Sequence, residues 1–537
     1  MSRIVIFASI ILSIFLYLIY LYKLFKYSIH KKDMYICIFL CCIFYVIICS
    51  IFFNYTIDDT YISLRYARNL TSGHGLVFST DGSKPIEGYT NFLWIILESI
   101  LFKITFLKNV LLGIKIIGIL FGTGIVILTY KLTYLISNNV KTSIIATSLI
   151  SLFPNIPFWS ISGLETPMYI FFLMLSIYLY VKKELFFSSI VFALAALSRP
   201  EGVLVFAIFS LYEISIGISK KKESTEKYLK KIILFLLPFI LIFGSYYIWR
   251  YNYYGFLFTN SFYAKGNLNI FQSILGRVSC RLPFLHFTLP IIAIGVIAFL
   301  ENFHKYEMLK YIFITFVTLF FLSFVAEREW MPGFRYELPF IPFIIIIFSI
   351  GLKDIMSVKK IIYQFIILFT VILYLFYPAI NLHTATRYTI DLEKSHVALG
   401  KWLNKYVPKD SSFAGWDMGA IPYFSELPTI IEIHPEGLLN AFITHSKYYD
   451  EDYLIRLKPS FIVLPSSDYK KIEINPKNEL SKFYKNNFFR ENYIYLSTFS
   501  LRNDYNLRLY KYKEIQLSKA ALEEIDRLSK KSIEANL

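Results

Sequence analysis

The chain has 537 residues, of which 56% are hydrophobic and 19% are aromatic. Long uninterrupted apolar segments replace the polar periodicity of a soluble protein, so the composition excludes an ordinary soluble enzyme. The formal net charge of +17 does not indicate a nucleic-acid partner, because the lysines lie in short segments between the apolar runs and no nucleic-acid-binding module is recognisable. The five cysteines and eight histidines show neither metal-ligand nor disulfide spacing, so a Cys/His metal site is not expected.

Twelve apolar segments are long enough to span a bilayer, at roughly 15 to 20 residues each. They lie near residues 4–22, 34–53, 110–130, 142–158, 167–181, 185–198, 202–218, 232–250, 284–300, 308–326, 336–351 and 361–380. The first is too long for the apolar core of a cleavable signal, and no small-residue cleavage site follows it. The stretch at 91–106 is shorter and carries Glu98 and Lys103, and we interpret it as an interfacial helix.

Lysine-rich segments between the spans predict how the chain is oriented. If the spans alternate, five such segments fall on one side, and the positive-inside rule makes that side the cytoplasm. These segments are 22–32, 181–183, 219–231, 301–310 and 351–360. The other side receives the first outer loop, 54–109, several short loops and all residues after 380. Because the outward segments hold an irregular mixture of acids, prolines, glycines and tryptophans, we expect any chemistry to face outward.

The composition changes after the last predicted span. Strand patterns at 460–465 and 506–513, and a charged helix near 518–534, indicate a small α/β domain. We therefore expect two parts. Residues 1–384 form an α-helical polytopic membrane domain, and residues 385–537 form a soluble extracytoplasmic α/β domain.

Two adjacent carboxylates mark the first outer loop, in the stretch YTIDDTYISLRYARNLTSGHG at 55–75. Asp58 and Asp59 come at the start of a helix, where the helix dipole favours the ionised form. In a structural interpretation, Asp58 only caps this helix, and the arginines, Arg65 among them, meet lipid headgroups. The presence of two acids together, followed by Glu87 in PIEGYTN, favours a functional interpretation in which a carboxylate acts as general base.

Two further outward motifs carry charged residues at the ends of spans. In SGLETPMYI the Thr-Pro pair starts a helix and leaves Glu165 at its rim, an arrangement that a helix start alone would explain. In LSRPEGV, Arg199 and Glu201 stand between two short spans, either as a structural ion pair or as part of a site. Both interpretations stay open for each motif.

Cations on the outer face need a reason, because they work against the topology rule. TNSFYAK offers Tyr263 and Lys265, and REWMPGFRYELPF brings Arg335 to the mouth of a span. A lipid-linked phosphate in the outer leaflet would supply that reason, since arginine binds phosphate bidentately and lysine binds it as a point charge. Snorkelling to ordinary lipid phosphates is the alternative for each residue.

These parts fit an enzyme that transfers a sugar. Such a reaction needs a carboxylate to remove the proton of an acceptor hydroxyl and a means of holding the leaving phosphate. Aromatic side chains are suited to stacking on sugar rings. A polyprenyl-phosphate sugar is a donor available on the outer face, where nucleotide sugars are absent, and the acceptor would be a glycan, a lipid or a protein.

The first outer loop, IDDTYISLRYARNLTSGHGLVFSTDGSKPIEGYTNFLW, resembles that of the terminal arabinofuranosyltransferases and their bacterial relatives in the GT-C superfamily. SGLETP, LSRPEG, TNSFYAK, WMPGFRYELPFIP and AGWDMGAIPYFSELPTI resemble later blocks of the same family. The likeness runs in order from residue 55 to about 515. Each block alone is weak evidence, but their order along the chain is specific.

The resemblance implies a multi-pass glycosyltransferase that uses a decaprenyl- or undecaprenyl-phosphate sugar, usually with inversion, on the outer face of the bacterial cytoplasmic membrane. In this superfamily an Asp of the first outer loop serves as the base, which by position is Asp58 or Asp59, with Asp58 favoured. Candidate substrate-binding residues are Arg65, Glu87, Glu165, Arg199, Glu201, Tyr263, Lys265 and Arg335. The two aspartates permit a divalent metal without demanding one, and no metal ligand is assigned. The chain departs from the family in its extra N-terminal span, and nothing in the sequence supports arabinose as the donor sugar.

Two other classes of function stand against this one. A flippase or transporter for lipid-linked sugars would need charged residues deep within spans and an inverted repeat, and the sequence shows neither. A GT-C-like scaffold that only binds glycolipid is the third class, and the retained Asp58, Asp59 and Glu87 argue against it. Release of polyprenyl phosphate from a lipid-sugar donor would separate these classes.

Overall fold

The computed structural model describes residues 31–104, 109–219, 225–260, 263, 270–325, 329–357, 361–433, 451–470, 472–473, 480–502 and 504–534. Within them the protein is mostly helical and carries a five-stranded sheet near the C-terminus. The predicted span at 4–22 and the candidate residue Lys265 lie outside the described residues.

Every predicted span from 34–53 onward overlaps a helix. The helices up to residue 392 are α1 (Lys31–Ile51), α2 (Thr60–Thr71), α3 (Phe92–Lys103), α4 (Val110–Ser137), α5 (Val140–Leu152), α6 (Asn155–Ser160), α7 (Thr166–Val181), α8 (Leu185–Ser198), α9 (Glu201–Ser219), α10 (Thr225–Tyr254), α11 (Ile270–Asn302), α12 (Leu309–Val325), α13 (Ile341–Ser357) and α14 (Ile361–Leu392), with a 3₁₀ turn at Leu338–Phe340. Within α1, α4, α10 and α11, four segments are long and apolar enough to cross a membrane by themselves, and several of the others are shorter apolar helices. The protein is a helical membrane protein, whereas the count of twelve spans is not confirmed.

Small residues let the helices of the membrane part approach closely. A Cβ atom added at Gly118 of α4 would collide with the backbone carbonyl of Ser160, and one at Gly122 would collide with the Tyr45 hydroxyl. The Thr129 hydroxyl donates to the carbonyl of Ile125 at 2.9 Å, so its polar group is satisfied within its own helix. Close backbone contact and internally satisfied polar groups are what a lipid environment requires of helix pairs.

The C-terminal part is an α/β unit, as the sequence predicts. Its elements are a π turn at Glu393–Val397, α15 (Ala398–Tyr406), β1 (Ser412–Gly415), α16 (Ala420–Ser425), β2 (Thr429–Glu432), α17 (Glu451–Leu457), β3 (Phe461–Ser466), α18 (Leu480–Lys485), α19 (Asn487–Asn492), β4 (Tyr493–Arg502), β5 (Tyr505–Tyr512) and α20 (Lys519–Glu534). The strand order is β2-β1-β3-β5-β4. Strand β1 pairs in parallel with β2 and β3, and β5 pairs antiparallel with β3 and β4. The predicted strands and final helix are confirmed as β3, β5 and α20.

The first outer loop and this α/β unit share one hydrophobic core. Tyr66 and Phe78 of the loop are buried in the same cluster as Trp402 and Phe461 of the α/β unit. The backbone N–H of Thr80 also donates to the carbonyl of Pro428 at 2.8 Å. The loop that carries the paired aspartates is therefore fixed in place by the C-terminal unit.

Candidate active site

Asp58 holds the N-terminus of a helix, but that helix belongs to the α/β unit rather than to its own loop. Its Oδ2 accepts from the backbone N–H of Gly419 at 3.1 Å and its Oδ1 accepts from that of Ala420 at 2.8 Å. A Cβ atom at Gly419 would collide with the Asp58 carboxylate, so the two backbones are in close contact. Asp58 is 7% exposed, and both carboxylate oxygens are engaged by the amides that α16 presents at its start.

A buried polar network lies behind Asp58. The Nε2 atom of His396 is 3.1 Å from Asp417 Oδ2, and the Tyr505 hydroxyl donates to the same oxygen at 2.8 Å. Burial raises the pKa of Asp58, and the negative charge of Asp417 raises it further, while His396 and the two amides lower it. Burial would lower the pKa of His396, but its hydrogen bond to Asp417 and the charges of Asp417 and Asp58 raise it above the usual value. The network joins the outer loop to the α/β unit through charge.

Asp59 occupies a different environment from its neighbour. It is the N-cap residue of α2, its side chain makes no capping hydrogen bond, and it is only half-buried. Its charge acts on the buried hydroxyl of Tyr55. Burial raises the pKa of that hydroxyl most, the charges of Glu329 and Asp59 raise it further, and the charge of Arg335 lowers it. The Tyr55 hydroxyl has no hydrogen-bond partner among the described residues. The charges of Asp59, Glu329 and Arg335 therefore all act on one buried hydroxyl.

Glu165 is the centre of a buried charged cluster beside these residues. Its Oε1 is 2.6 Å from Arg335 NH2 and 3.8 Å from Arg199 NH1, and its Oε2 accepts from Asn91 Nδ2 at 3.1 Å. Burial alone would raise the pKa of Glu165, yet Arg335 and Arg199 hold it below its usual range. One carboxylate thus orients two guanidinium groups.

Arg199 also takes part in the ion pair that the sequence left open. Its NH2 group is 2.9 Å from Glu201 Oε1, and its guanidinium lies 5.5 Å from the ring centre of Tyr336. The LSRPEG motif therefore forms the pair that the structural interpretation expects, and it also reaches Glu165. Of the candidate residues, the fold brings Glu165, Arg199, Glu201 and Arg335 together.

Glu87 lies in a separate buried ion pair. Its two oxygens receive Arg250 Nε at 2.8 Å and Arg250 NH2 at 2.5 Å, and both side chains are almost fully buried. Burial raises the pKa of Glu87 to about 7, against the lowering effect of Arg250. Arg250, near the end of α10, also donates to the backbone carbonyls of Phe256 and Leu257. Glu87 therefore fastens the loop to a span, which differs from the substrate contact expected of it.

Arg65 is also engaged by the protein itself. Its Nε donates to the Phe78 carbonyl at 2.7 Å, NH2 donates to the Leu427 carbonyl at 2.6 Å, and NH1 donates to the Pro422 carbonyl. It is 1% exposed. Its guanidinium therefore joins α2 to α16 and to the segment after it, and the substrate contact expected of Arg65 stays a prediction.

Tyr263 stands apart from the charged cluster. It is 39% exposed, and its hydroxyl accepts from the backbone N–H of Phe258 at 3.4 Å. Its neighbour in the motif, Lys265, falls outside the described part of the chain. The expectation that these two residues contact a phosphate stays a prediction.

Sequence reasoning missed several residues of this region. Arg281 of α11 pairs with Glu337 at 3.1 Å, and Glu329 lies near Arg335 and Tyr55. The glutamates could have been found in the stretch EREWMPGFRYEL, because it contains three acids close to the candidate residue Arg335. Within the described ranges, no group of three or more His, Cys, Asp or Glu side chains is arranged to hold a metal ion.

Two comparisons concern the sequence. Residues 381–510 match a family described as a domain of unknown function, DUF8728. This stretch runs from the end of α14 into β5 and covers most of the α/β unit. No curated protein matches the chain.

Solved structures resemble the chain over most of its length. ArnT from Cupriavidus metallidurans in the apo state is 10% identical to this chain, with a TM-score of 0.51. The match covers 87% of this chain and 96% of the ArnT chain. The same protein bound to undecaprenyl phosphate is 9% identical, with coverages of 88% and 97% and a TM-score of 0.50. The oligosaccharyltransferase AglB from Archaeoglobus fulgidus, in complex with an inhibitory peptide and a dolichol-phosphate, is 10% identical, with coverages of 81% and 69% and a TM-score of 0.50.

These similarities bear on the fold that the sequence suggested. ArnT and AglB are both members of the GT-C superfamily. Neither is a terminal arabinofuranosyltransferase, so that narrower resemblance is not confirmed. The chain shares the overall fold of these GT-C membrane proteins.

Proposed function

We propose that the protein is a glycosyltransferase that moves a sugar from a polyprenyl-phosphate donor to a hydroxyl of a glycan, lipid or protein acceptor, on the outer face of a bacterial cytoplasmic membrane. The observation that carries the proposal is the buried cluster in which Glu165 pairs with the guanidinium groups of Arg199 and Arg335. The presence of undecaprenyl phosphate and dolichol-phosphate in solved structures of the same fold supports a lipid-linked donor.

Asp59 is the general base in this proposal, in place of Asp58. A base must reach the proton of an incoming hydroxyl, and Asp59 is only half-buried. Both oxygens of Asp58 already accept backbone hydrogen bonds from the start of α16. Because these amides compete with any incoming hydroxyl, Asp58 is better suited to positioning the loop than to removing a proton.

The reaction is a displacement at the anomeric carbon of the donor sugar. The oxygen of the acceptor hydroxyl forms the new glycosidic bond. At the same time Asp59 accepts the proton of that hydroxyl. The bond between the anomeric carbon and the phosphate oxygen breaks at the same time, and both electrons leave with the polyprenyl phosphate. Attack from the face opposite the phosphate inverts the configuration, which is the outcome expected of a single displacement.

Arg335 stabilises the leaving phosphate. Its guanidinium is held by Glu165 and lies 5.7 Å from the ring of Trp159, so its orientation is fixed before the donor binds. A preoriented cation stabilises charge that develops in the transition state without reorganisation of the site. Arg199 supplies a second cation, and Glu201 and Glu165 balance the charge of the two arginines. Tyr263 and Lys265 remain proposed donor contacts.

The test is release of polyprenyl phosphate by the full chain in lipid nanodiscs. A panel of undecaprenyl-phosphate hexoses, pentoses and amino sugars is supplied, with membranes of the source organism as the acceptor. We expect at least one donor to release undecaprenyl phosphate with wild-type protein, and Asp59→Asn to release it far more slowly. Movement of the intact lipid-sugar across vesicle membranes without release would instead identify a flippase. Binding of the donor without either event would identify a non-catalytic scaffold.

A further inference from the structure

We infer that the cavity between α6, α11, α14 and the loop at 329–337 binds the sugar of the donor through hydrogen bonds that the sugar hydroxyls donate. The inference rests on the proposed function and names the part of the site that recognises the transferred group. The cavity has a volume of about 170 Å³ and is lined by Asn155, Arg281, Glu329, Gly333, Glu337 and Leu382, among others.

The cavity lies close to the cation of the proposed catalytic centre. The loop that lines it is held against α6 because the carbonyl of Gly333 accepts from Asn155 Nδ2 at 3.1 Å and also from Trp159 Nε1 at 2.8 Å. The ring centre of the same Trp159 lies 5.7 Å from the guanidinium of Arg335. A group bound in the cavity would therefore lie near the cation that holds the phosphate.

Three side chains that line the cavity each keep an oxygen that is buried and has no hydrogen-bond partner within the described ranges. These oxygens are Asn155 Oδ1, Glu329 Oε2 and Glu337 Oε2. Asn155 is fully buried and Glu337 is 2% exposed. Buried acceptors without donors are rare in folded proteins because leaving them unpaired is costly, so each calls for a partner that the described residues do not supply.

The other half of each of these side chains is already fixed. Asn155 uses its amide nitrogen on Gly333, Glu337 Oε1 pairs with Arg281 at 3.1 Å, and Glu329 Oε1 accepts from Met331 N at 3.3 Å. The three side chains are thus held in place while an acceptor oxygen of each stays unmatched. This arrangement is a preformed set of hydrogen-bond acceptors.

The chemistry of the unmatched oxygens decides what fits. A phosphate dianion offers no donors and would be repelled by the two carboxylates, and an acyl chain offers none either. A monosaccharide carries several hydroxyl donors on a compact ring, so it can satisfy more than one acceptor at once. Ordered water is the other small molecule with donors, and the cavity has room for several water molecules.

Binding to the full chain in nanodiscs separates the sugar from the phosphate. The probes are undecaprenyl phosphate and the same lipid phosphate esterified with each sugar of a panel of hexoses, pentoses and amino sugars. We expect at least one ester to bind the wild-type protein more tightly than undecaprenyl phosphate does. In Glu329→Gln and Asn155→Ala that advantage should fall by about tenfold, since each removes or changes an acceptor. Asn155→Ala removes no charge, so its affinity for undecaprenyl phosphate should stay the same.

A cavity-filling variant protects the test against a folding defect. Cys280 lines the cavity and is half-buried, so Cys280→Phe should block the sugar ester while all the polar groups remain. Glu426→Gln is the matched control, because this acid is exposed and pairs with Arg68 outside the cavity. Its binding should equal that of the wild type, and thermal unfolding of every variant reports its folding.

The outcomes distinguish the inference from the function on which it rests. If undecaprenyl phosphate and all its esters fail to bind, the proposed function is wrong. If undecaprenyl phosphate binds but no ester gains affinity, or if the gain survives in Glu329→Gln, Asn155→Ala and Cys280→Phe, the cavity holds only water and the inference is overturned. Loss of the ester's advantage alone, in variants that stay folded, supports it.

Discussion

The carboxylate of Asp58 accepts a 2.8 Å hydrogen bond from the backbone N–H of Ala420, which lies 362 residues further along the chain. This contact joins the first outer loop to the α/β unit at the point where the loop carries Asp59. Because Asp58 and Asp59 are neighbours in sequence, a shift of the α/β unit would move the proposed base. In the proposed mechanism, the α/β unit therefore positions the base and supplies none of the reacting groups.

Exchange of each aspartate for asparagine should separate stability from chemistry. Asp58→Asn keeps one acceptor oxygen but places an NH₂ group against a backbone N–H, so we expect the free energy of unfolding to fall by about 1–3 kcal/mol. Asp59→Asn should leave stability near that of the wild type and reduce turnover by about 10²–10⁴-fold, the usual effect of removing a general base. Thermal unfolding in detergent and release of undecaprenyl phosphate measure the two effects.

The reverse pattern would overturn the assignment of the two residues. If Asp58→Asn stays as stable as the wild type and loses turnover, while Asp59→Asn keeps it, then Asp58 is the base as the sequence resemblance suggested. Full turnover in both variants would mean that neither carboxylate takes a proton. Double substitution should add the two effects if the roles are separate.

Arg335 should control affinity for the lipid phosphate. A charge-assisted hydrogen bond contributes about 1.5–3 kcal/mol, so Arg335→Ala should weaken binding of undecaprenyl phosphate by roughly tenfold to a hundredfold. Arg68→Ala is the control, since Arg68 is partly exposed and pairs with Glu426 away from the cluster. Binding is measured by titration in nanodiscs. Equal affinity in the two variants would show that Arg335 only balances the buried charge of Glu165.

Local elements could be predicted from the sequence because they depend on short-range periodicity. Apolar segments of membrane-spanning length located α1 and α4, and alternating strand patterns located β3 and β5. The clustering of Glu165, Arg199 and Arg335 could be foreseen in part. All three stand at ends of predicted spans that the sequence places on one side of the membrane, and the fold brings them together.

The roles of individual loop residues could not be predicted, because their partners are distant in sequence. Asp58 reads as a cap for the helix that follows it, but the helix it caps starts at Ala420. The sequence suggests that Arg65 contacts lipid headgroups, but its guanidinium donates to the carbonyl of Pro422 in α16 and to that of Leu427 just after it. In both cases the local sequence pattern is the same whether the residue faces solvent or is buried against another part of the chain.

His396 should make the stability of the contact between the first outer loop and the α/β unit depend on pH. Its pKa in the folded protein is raised by Asp417 and Asp58, so the protonated ring is favoured by folding. Its contribution is fully present below the unfolded pKa of about 6.5 and is lost as the pH rises through the higher folded value. Thermal unfolding between about pH 6 and 9 should show a decrease in the wild type that is smaller in His396→Asn. Parallel pH profiles for the two proteins would contradict this role.

The shared core makes a further prediction about residues 385–537. Trp402 and Phe461 are buried together with Tyr66 and Phe78 of the first outer loop, so an isolated fragment would expose apolar surface that the loop normally covers. We expect the fragment alone to bind a hydrophobic dye and to unfold at a lower temperature than the same fragment fused to residues 54–104 through a flexible linker. The fusion restores the hydrogen bonds to Asp58 and Arg65 together with the apolar contacts.

A variant of the fusion identifies which contact matters. Asp58→Asn within the fused loop should remove part of the gain in stability, whereas Asp59→Asn should remove little, since only Asp58 holds the start of α16. If the fragment alone is as stable as the fusion, the core of the α/β unit is complete without the loop. The loop would then be docked on a finished domain, and the α/β unit would no longer account for the fixed position of Asp59.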